Sequence, residues 1–152
     1  MTNPNIFTSE VSNQIIDRIN KLSNESPTLW GKMNVAQMFA HCNVSYEYIF
    51  TDKHPKPNFF TKLMLKLFVK NTVVGDKKYK KNNPTAPPFK ISDQRVFEKE
   101  KNLLIENIIK VKDLGENHFD GKESHSFGVL NKNEWNNMFY KHLDHHLAQF
   151  GV

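Results

Sequence analysis

His142 and His146 stand four residues apart on a segment whose periodicity, start and end all mark it as one amphipathic helix. At about 100° per residue, Trp135, Met138, Phe139, His142, His146, Gln149 and Phe150 fall on one stripe, with Asn136, Asn137, Lys141 and Asp144 opposite. Asn131 is placed as N-cap, Glu134 as its capping-box partner, Leu130 and Trp135 as a hydrophobic staple, and Gly151 as the residue that ends the helix. Positions i and i+4 lie one above the other, so the two imidazoles face inward together. An inward neutral ring needs partners for its polar nitrogens, and a shared divalent ion supplies one to both rings. Two histidines satisfied within an ordinary core remain the alternative on this pattern alone. Two ligands are also too few for a zinc-like catalytic site, which takes three and keeps one position open.

The remaining periodicity is helical as well. Val11, Ile15, Ile16, Ile19 and Leu22 predict a helix from Ser9 to Leu22, closed by Ser23-Asn24-Glu25-Ser26-Pro27. Asn34 and Gln37 form a second capping box, with Met33 and Met38 as its staple, and the helix they open runs to Phe50 on a stripe of Val35, Met38, Phe39, Cys42, Tyr46 and Ile49. Asn58 to Lys70 predicts a short helix with Phe59, Phe60, Leu63, Met64, Leu67 and Phe68 against Lys62, Lys66 and Lys70. A basic amphipathic helix of this kind suits a membrane surface, but the favoured reading is a cover for one end of a bundle, with its lysines in water. Residues 71–90 are rich in Lys, Asn and Pro and predict a long crossover. A further helix is expected from N-cap Ser92 to Asp113, with Val96, Phe97, Leu103, Leu104, Ile108 and Val111 inward and Leu114-Gly115 closing it. The polar stretch 116–129, with a turn at Phe127-Gly128, leads into the histidine helix. Four long amphipathic helices and no convincing strand pair give an all-α class: a four-helix bundle with one long crossover and a short additional helix, expected as a single domain over 1–152.

Composition narrows the function classes. The 152 residues carry 38% hydrophobic side chains, including 12 Phe, which fits a folded core. No apolar run approaches a membrane span, and the polar start Met1-Thr2-Asn3-Pro4-Asn5 does not read as a signal peptide, so a cytoplasmic location is expected. The lone Cys42 falls on a core stripe with no base beside it, which favours a small buried hydrophobe over a nucleophile. The formal charge of +5 is concentrated at Lys77, Lys78, Lys80 and Lys81 around Tyr79, within a basic loop at 76–90. No nucleic-acid motif accompanies that loop, and nucleic acid is not an expected partner.

A shared ion needs a third ligand. Of the seven histidines, His41 is the one inside another long helix, and His125, in the loop before the last helix, is the reserve. His41 sits at the edge of its stripe beside Met38 and Ser45, from where it can also face water. The segment Trp30-Gly31-Lys32-Met33-Asn34-Val35-Ala36-Gln37-Met38-Phe39-Ala40-His41, taken with Phe127-Gly128, Trp135 and Lys141-His142-Leu143-Asp144-His145-His146-Leu147-Ala148-Gln149-Phe150-Gly151, resembles the DinB-like metalloprotein superfamily. It is most similar to a small bacterial subfamily of unknown function, and the resemblance spans nearly the whole chain. It implies a four-helix bundle whose metal is held by one histidine of the second helix and two of the last, here His41, His142 and His146.

Three neutral imidazoles would leave a divalent ion its full charge and an open position. Zinc or nickel is the first expectation, iron or manganese the next. Some members of the superfamily are transferases that use low-molecular-weight thiols. The expected function is therefore a metal-dependent enzyme acting on a small molecule, first as a thiol-dependent transferase and second as a hydrolase. The alternatives are a non-catalytic, metal-stabilised or stress-associated binding module, or a bundle without metal. Glu47, Tyr48, Tyr46 and Tyr140 lie within two turns of ligand positions, and none is singled out as a general base. His145 reads as a supporting or surface residue, while Gln149 and Trp30 are candidates to line the pocket. A homodimer through helices is a further expectation.

Overall fold

The computed structural model describes residues 3–152. Helix α1 (Ser9–Asn20) is capped by Thr8, whose side chain accepts from the Val11 amide, and α2 (Val35–Phe50) opens on the full Asn34–Gln37 capping box. The short helices α3 (Phe59–Phe68) and α4 (Lys70–Val74) follow, and the crossover ends in a 3-10 turn at Pro87–Phe89. Helix α5 (Phe97–Leu114) and the single turn α6 (Glu116–Phe119) precede a small antiparallel hairpin, β1 (Lys122–Ser124) with β2 (Gly128–Leu130). The last helix, α7 (Lys132–Gln149), carries the Asn131–Glu134 capping box.

Helices α1, α2, α5 and α7 form the bundle: α2 packs on α5 and α7, and α1 packs on the same two. The inward stripes supply Ile15, Ile19, Met38, Phe39, Leu104, Ile108 and Leu143, all buried. Burying each such side chain stabilises the fold by roughly 1.5–3 kcal/mol relative to leaving it in water. Toward the start of α7 the core is aromatic, with Phe119, Trp135 and Phe139 packed on one another and Phe7 closing over them.

The polar side of α7 departs from expectation. Asn136, Asn137 and Lys141 do not face water but are buried, because α7 is covered on that side by the N-terminal segment and by α4. Asn136 accepts from the Ile6 amide and donates to the Pro4 carbonyl; Asn137 donates to the Val74 carbonyl; Lys141 donates to the carbonyls of Thr72, Val73 and Gly75. These side chains satisfy backbone groups that irregular neighbours leave unpaired. Polarity here marks contact with loops.

Four smaller corrections follow. Helix α5 starts at Phe97 and not at Ser92, leaving Val96 exposed, and Leu103 also faces outward because the buried stripe runs through Glu100, Leu104, Ile108 and Val111. Helix α1 ends at Asn20, although Leu22 beyond it is still buried. The strand pair absent from the sequence reading exists because Ser124 organises its turn, accepting from the Phe127 amide and donating to the Gly128 carbonyl, with Gly128 at φ 77°. The fourth concerns α3, which does not cover the bundle end with its apolar side: none of its residues is buried.

Candidate metal centre

Helix α2 delivers His41, and α7 delivers His142 and His146 one turn apart. One nitrogen from each ring lies within 4.8 Å of the other two, with ring centroids 4.4–4.9 Å apart. His41 and His146 are buried and His142 is partly accessible, so the edge position of His41 turns inward. The crossover explains this, since its 3-10 turn lays Phe89 over the His41 ring.

Each ring is fixed through its Nδ1 atom. His41 Nδ1 is 2.7 Å from the Phe89 carbonyl oxygen, which can only accept, so Nδ1 carries the proton and Nε2 keeps its lone pair. His146 Nδ1 is 2.9 Å from Gln149 Oε1, while Gln149 Nε2 donates to the Trp30 carbonyl at 2.7 Å, which fixes the amide's orientation and with it the imidazole tautomer. His142 Nδ1 pairs with the Ser45 hydroxyl at 3.0 Å. The Nε2 atoms of His41 and His142 approach to 2.9 Å. Around a tetrahedral ion with bonds of about 2.0–2.1 Å, ligand nitrogens stand about 3.4 Å apart, so a slight opening of this pair would admit one. Histidines that ligate metals are oriented by such partners on the other nitrogen, and the residues present fit the group.

Burial lowers the pKa of all three imidazoles, His146 to about 3 and His142 well below its ordinary value; the Phe89 carbonyl opposes this in part at His41. At neutral pH the rings are unprotonated, the form that ligates.

The surrounding walls carry further chemistry. On one side Phe89 stacks on Tyr48, which stacks on His54 and meets His125 edge-on. On the other, His145 lies beside Trp30 and Tyr79, with the Lys81 ammonium 4.2 Å from the Trp30 ring centre. His125 therefore joins the Tyr48 wall, with Nε2 near the His54 carbonyl, and is not in the triad. Burial pulls the Glu47 carboxyl upward, yet Lys53 and His54 outweigh it and hold the group below its usual range. Burial raises the phenols of Tyr46 and Tyr140 and the thiol of Cys42, which is fully enclosed beside Met38; none of the three is prepared as a base or nucleophile. The contributions missed in the sequence are the Phe89 carbonyl and the Ser45 hydroxyl; the first has no side-chain signature, while Ser45 lies one helical turn after His41.

A family model described as "Protein of unknown function (DUF1569)" matches residues 1–151. No curated protein and no solved structure matches the chain.

Proposed function

Since this chain belongs to the DUF1569 family, whose description assigns no activity, we propose from the geometry that it is a divalent-metal-dependent enzyme whose ion is held by His41, His142 and His146. The observation that carries the proposal is the convergence of the three rings, one nitrogen of each within 4.8 Å of the other two, with Phe89 and Gln149 holding the Nδ1 protons of His41 and His146 and the Ser45 hydroxyl on His142 Nδ1. The resemblance to the DinB-like superfamily supports the same ligand set and the reading of residues 1–152 as one domain. Zinc or nickel suits three neutral imidazoles, with iron or manganese next. When bound, such an ion supplies a Lewis acid with an open position for a water or a substrate thiol.

This chain's own residues prepare that position. Phe89 lies against the His41 ring, and His145, next to His146, lies against Trp30, over which Lys81 places its ammonium. The arrangement suits a small substrate with an anionic group, and a thiol-dependent transferase is the reaction favoured over hydrolysis, because among the described residues the triad holds histidines alone and no carboxylate. A cytoplasmic location accords with this reading. No described helix is long and apolar enough to cross a membrane.

Metal analysis of untagged protein tests the site: about one equivalent is expected in wild type and a trace in His142→Ala. Substoichiometric metal in both overturns it. Calorimetric titration of metal-loaded protein with a small thiol should release heat; its absence favours the metal-stabilised binding module instead.

A further inference from the structure

Helix α3 is amphipathic, but its two sides are reversed relative to an ordinary surface helix. Its basic side meets the body of the protein: Lys62 pairs with Glu123, Leu65 packs against the core, and Lys66 lies alongside Gly128, while Lys70, just beyond the helix, pairs with Glu134. Its apolar side faces out. Phe59 is 85% exposed, Phe60 68%, Leu67 65% and Phe68 71%, with Leu63 and Met64 exposed between them. Taking about 200 Å² for a whole Phe side chain, the six residues expose on the order of 600 Å² of contiguous apolar surface, the upper end for a soluble monomer. Single exposed apolar residues need no explanation, but six on adjoining turns do.

We infer that this face is a docking surface for an anionic lipid bilayer, on which α3 lies in the plane of the headgroups. The charge distribution selects this occupant. Residues 53–81 contain nine lysines and one acid, Asp76, so more than the chain's whole formal excess of +5 resides in the segment that carries α3. Lys53, Lys62, Lys70 and Lys78 are partnered by Glu47, Glu123, Glu134 and Asp144. Lys56, Lys66, Lys77 and Lys80 are exposed and have no ion-pair partner among the described residues. Stable attachment of a peripheral protein takes two signals, an apolar face and a set of free cationic side chains, and residues 53–81 carry both. A second copy on the same face would bring two lysine-rich segments together across a two-fold axis, which their repulsion disfavours. The inference is independent of the metal.

Sedimentation of the full chain with vesicles decides it. Binding is expected to equal parts phosphatidylcholine and phosphatidylglycerol, with a loss of tenfold or more on phosphatidylcholine alone and a decline with added salt. The Phe60→Glu/Phe68→Glu variant, altered only at exposed positions and checked for native circular dichroism, should stay in the supernatant. Equal binding to both vesicle types, or none to either, overturns the inference. So does a concentration-dependent dimer in sedimentation velocity that the same variant abolishes, which would assign the face to a second copy.

Discussion

Gln149 holds the tautomer of His146 through Oε1 while its Nε2 is tied to the Trp30 carbonyl, so a single side chain links the Trp30 segment to a proposed ligand. Gln149→Leu should lower metal affinity by about 10–100-fold without unfolding the chain, read by competition with a metal-sensitive dye. Gly31 bears on the same link. Its φ is +83°, and a Cβ there would stand 2.5 Å from Gln149 Nε2, so Gly31→Ala should strain the backbone by about 1–2 kcal/mol and weaken metal binding as well. Unchanged affinity in both variants would remove Gln149 from the site. The lowered imidazole pKa values also set the pH response of the metal-free protein. Between about 3, the value for His146, and 6.5, the ordinary value, the unfolded chain binds more protons than the folded one. Stability must therefore fall as pH drops through that window, visible as a falling urea midpoint, and a flat midpoint would contradict the burial of these rings.

At the level of elements, Lys141 joins α7 to the end of α4 by donating to three carbonyls. Lys141→Met would keep the packing volume but leave those acceptors unmet, with an expected loss of roughly 2–3 kcal/mol in chemical unfolding. A variant as stable as wild type would mean that water replaces the ammonium there. Two helix starts were legible from their capping boxes, Asn34 with Gln37 and Asn131 with Glu134, while Asn58, expected as the first residue of α3, proves to be its cap. Ser92 misled because a capping residue acts only if the backbone after it turns helical, and here Asp93 and Arg95 are engaged elsewhere, in contacts to Gln37 and Glu100. The wheel turned the named stripe of α7 inward but left out Leu143 and Leu147, which are buried too, and it placed the opposite side wrongly, since periodicity cannot distinguish water from a polar loop as neighbour. For the site, spacing revealed His142 and His146. The inward turn of His41 depends on Phe89, 48 residues away, and such a contact leaves no local trace.

Across the whole molecule, helix class and bundle architecture followed from pattern, whereas the outward apolar side of α3 did not, because amphipathicity says nothing about which side meets the protein. Metal should raise the thermal midpoint of the full chain in proportion to the logarithm of its free concentration, and a chelator should return it to the metal-free value. His142→Ala should abolish that dependence. The magnitude follows from affinity and supply, about 2.7 kcal/mol when free metal stands at a hundred times Kd. The proposed ligands His41 and His142 are 101 residues apart, so an ion joining them in the folded state would tie together the ends of a loop covering two-thirds of the polypeptide. Loading would thus act as a reversible clasp on the tertiary structure, and the protein's persistence in a cell would follow the supply of free metal.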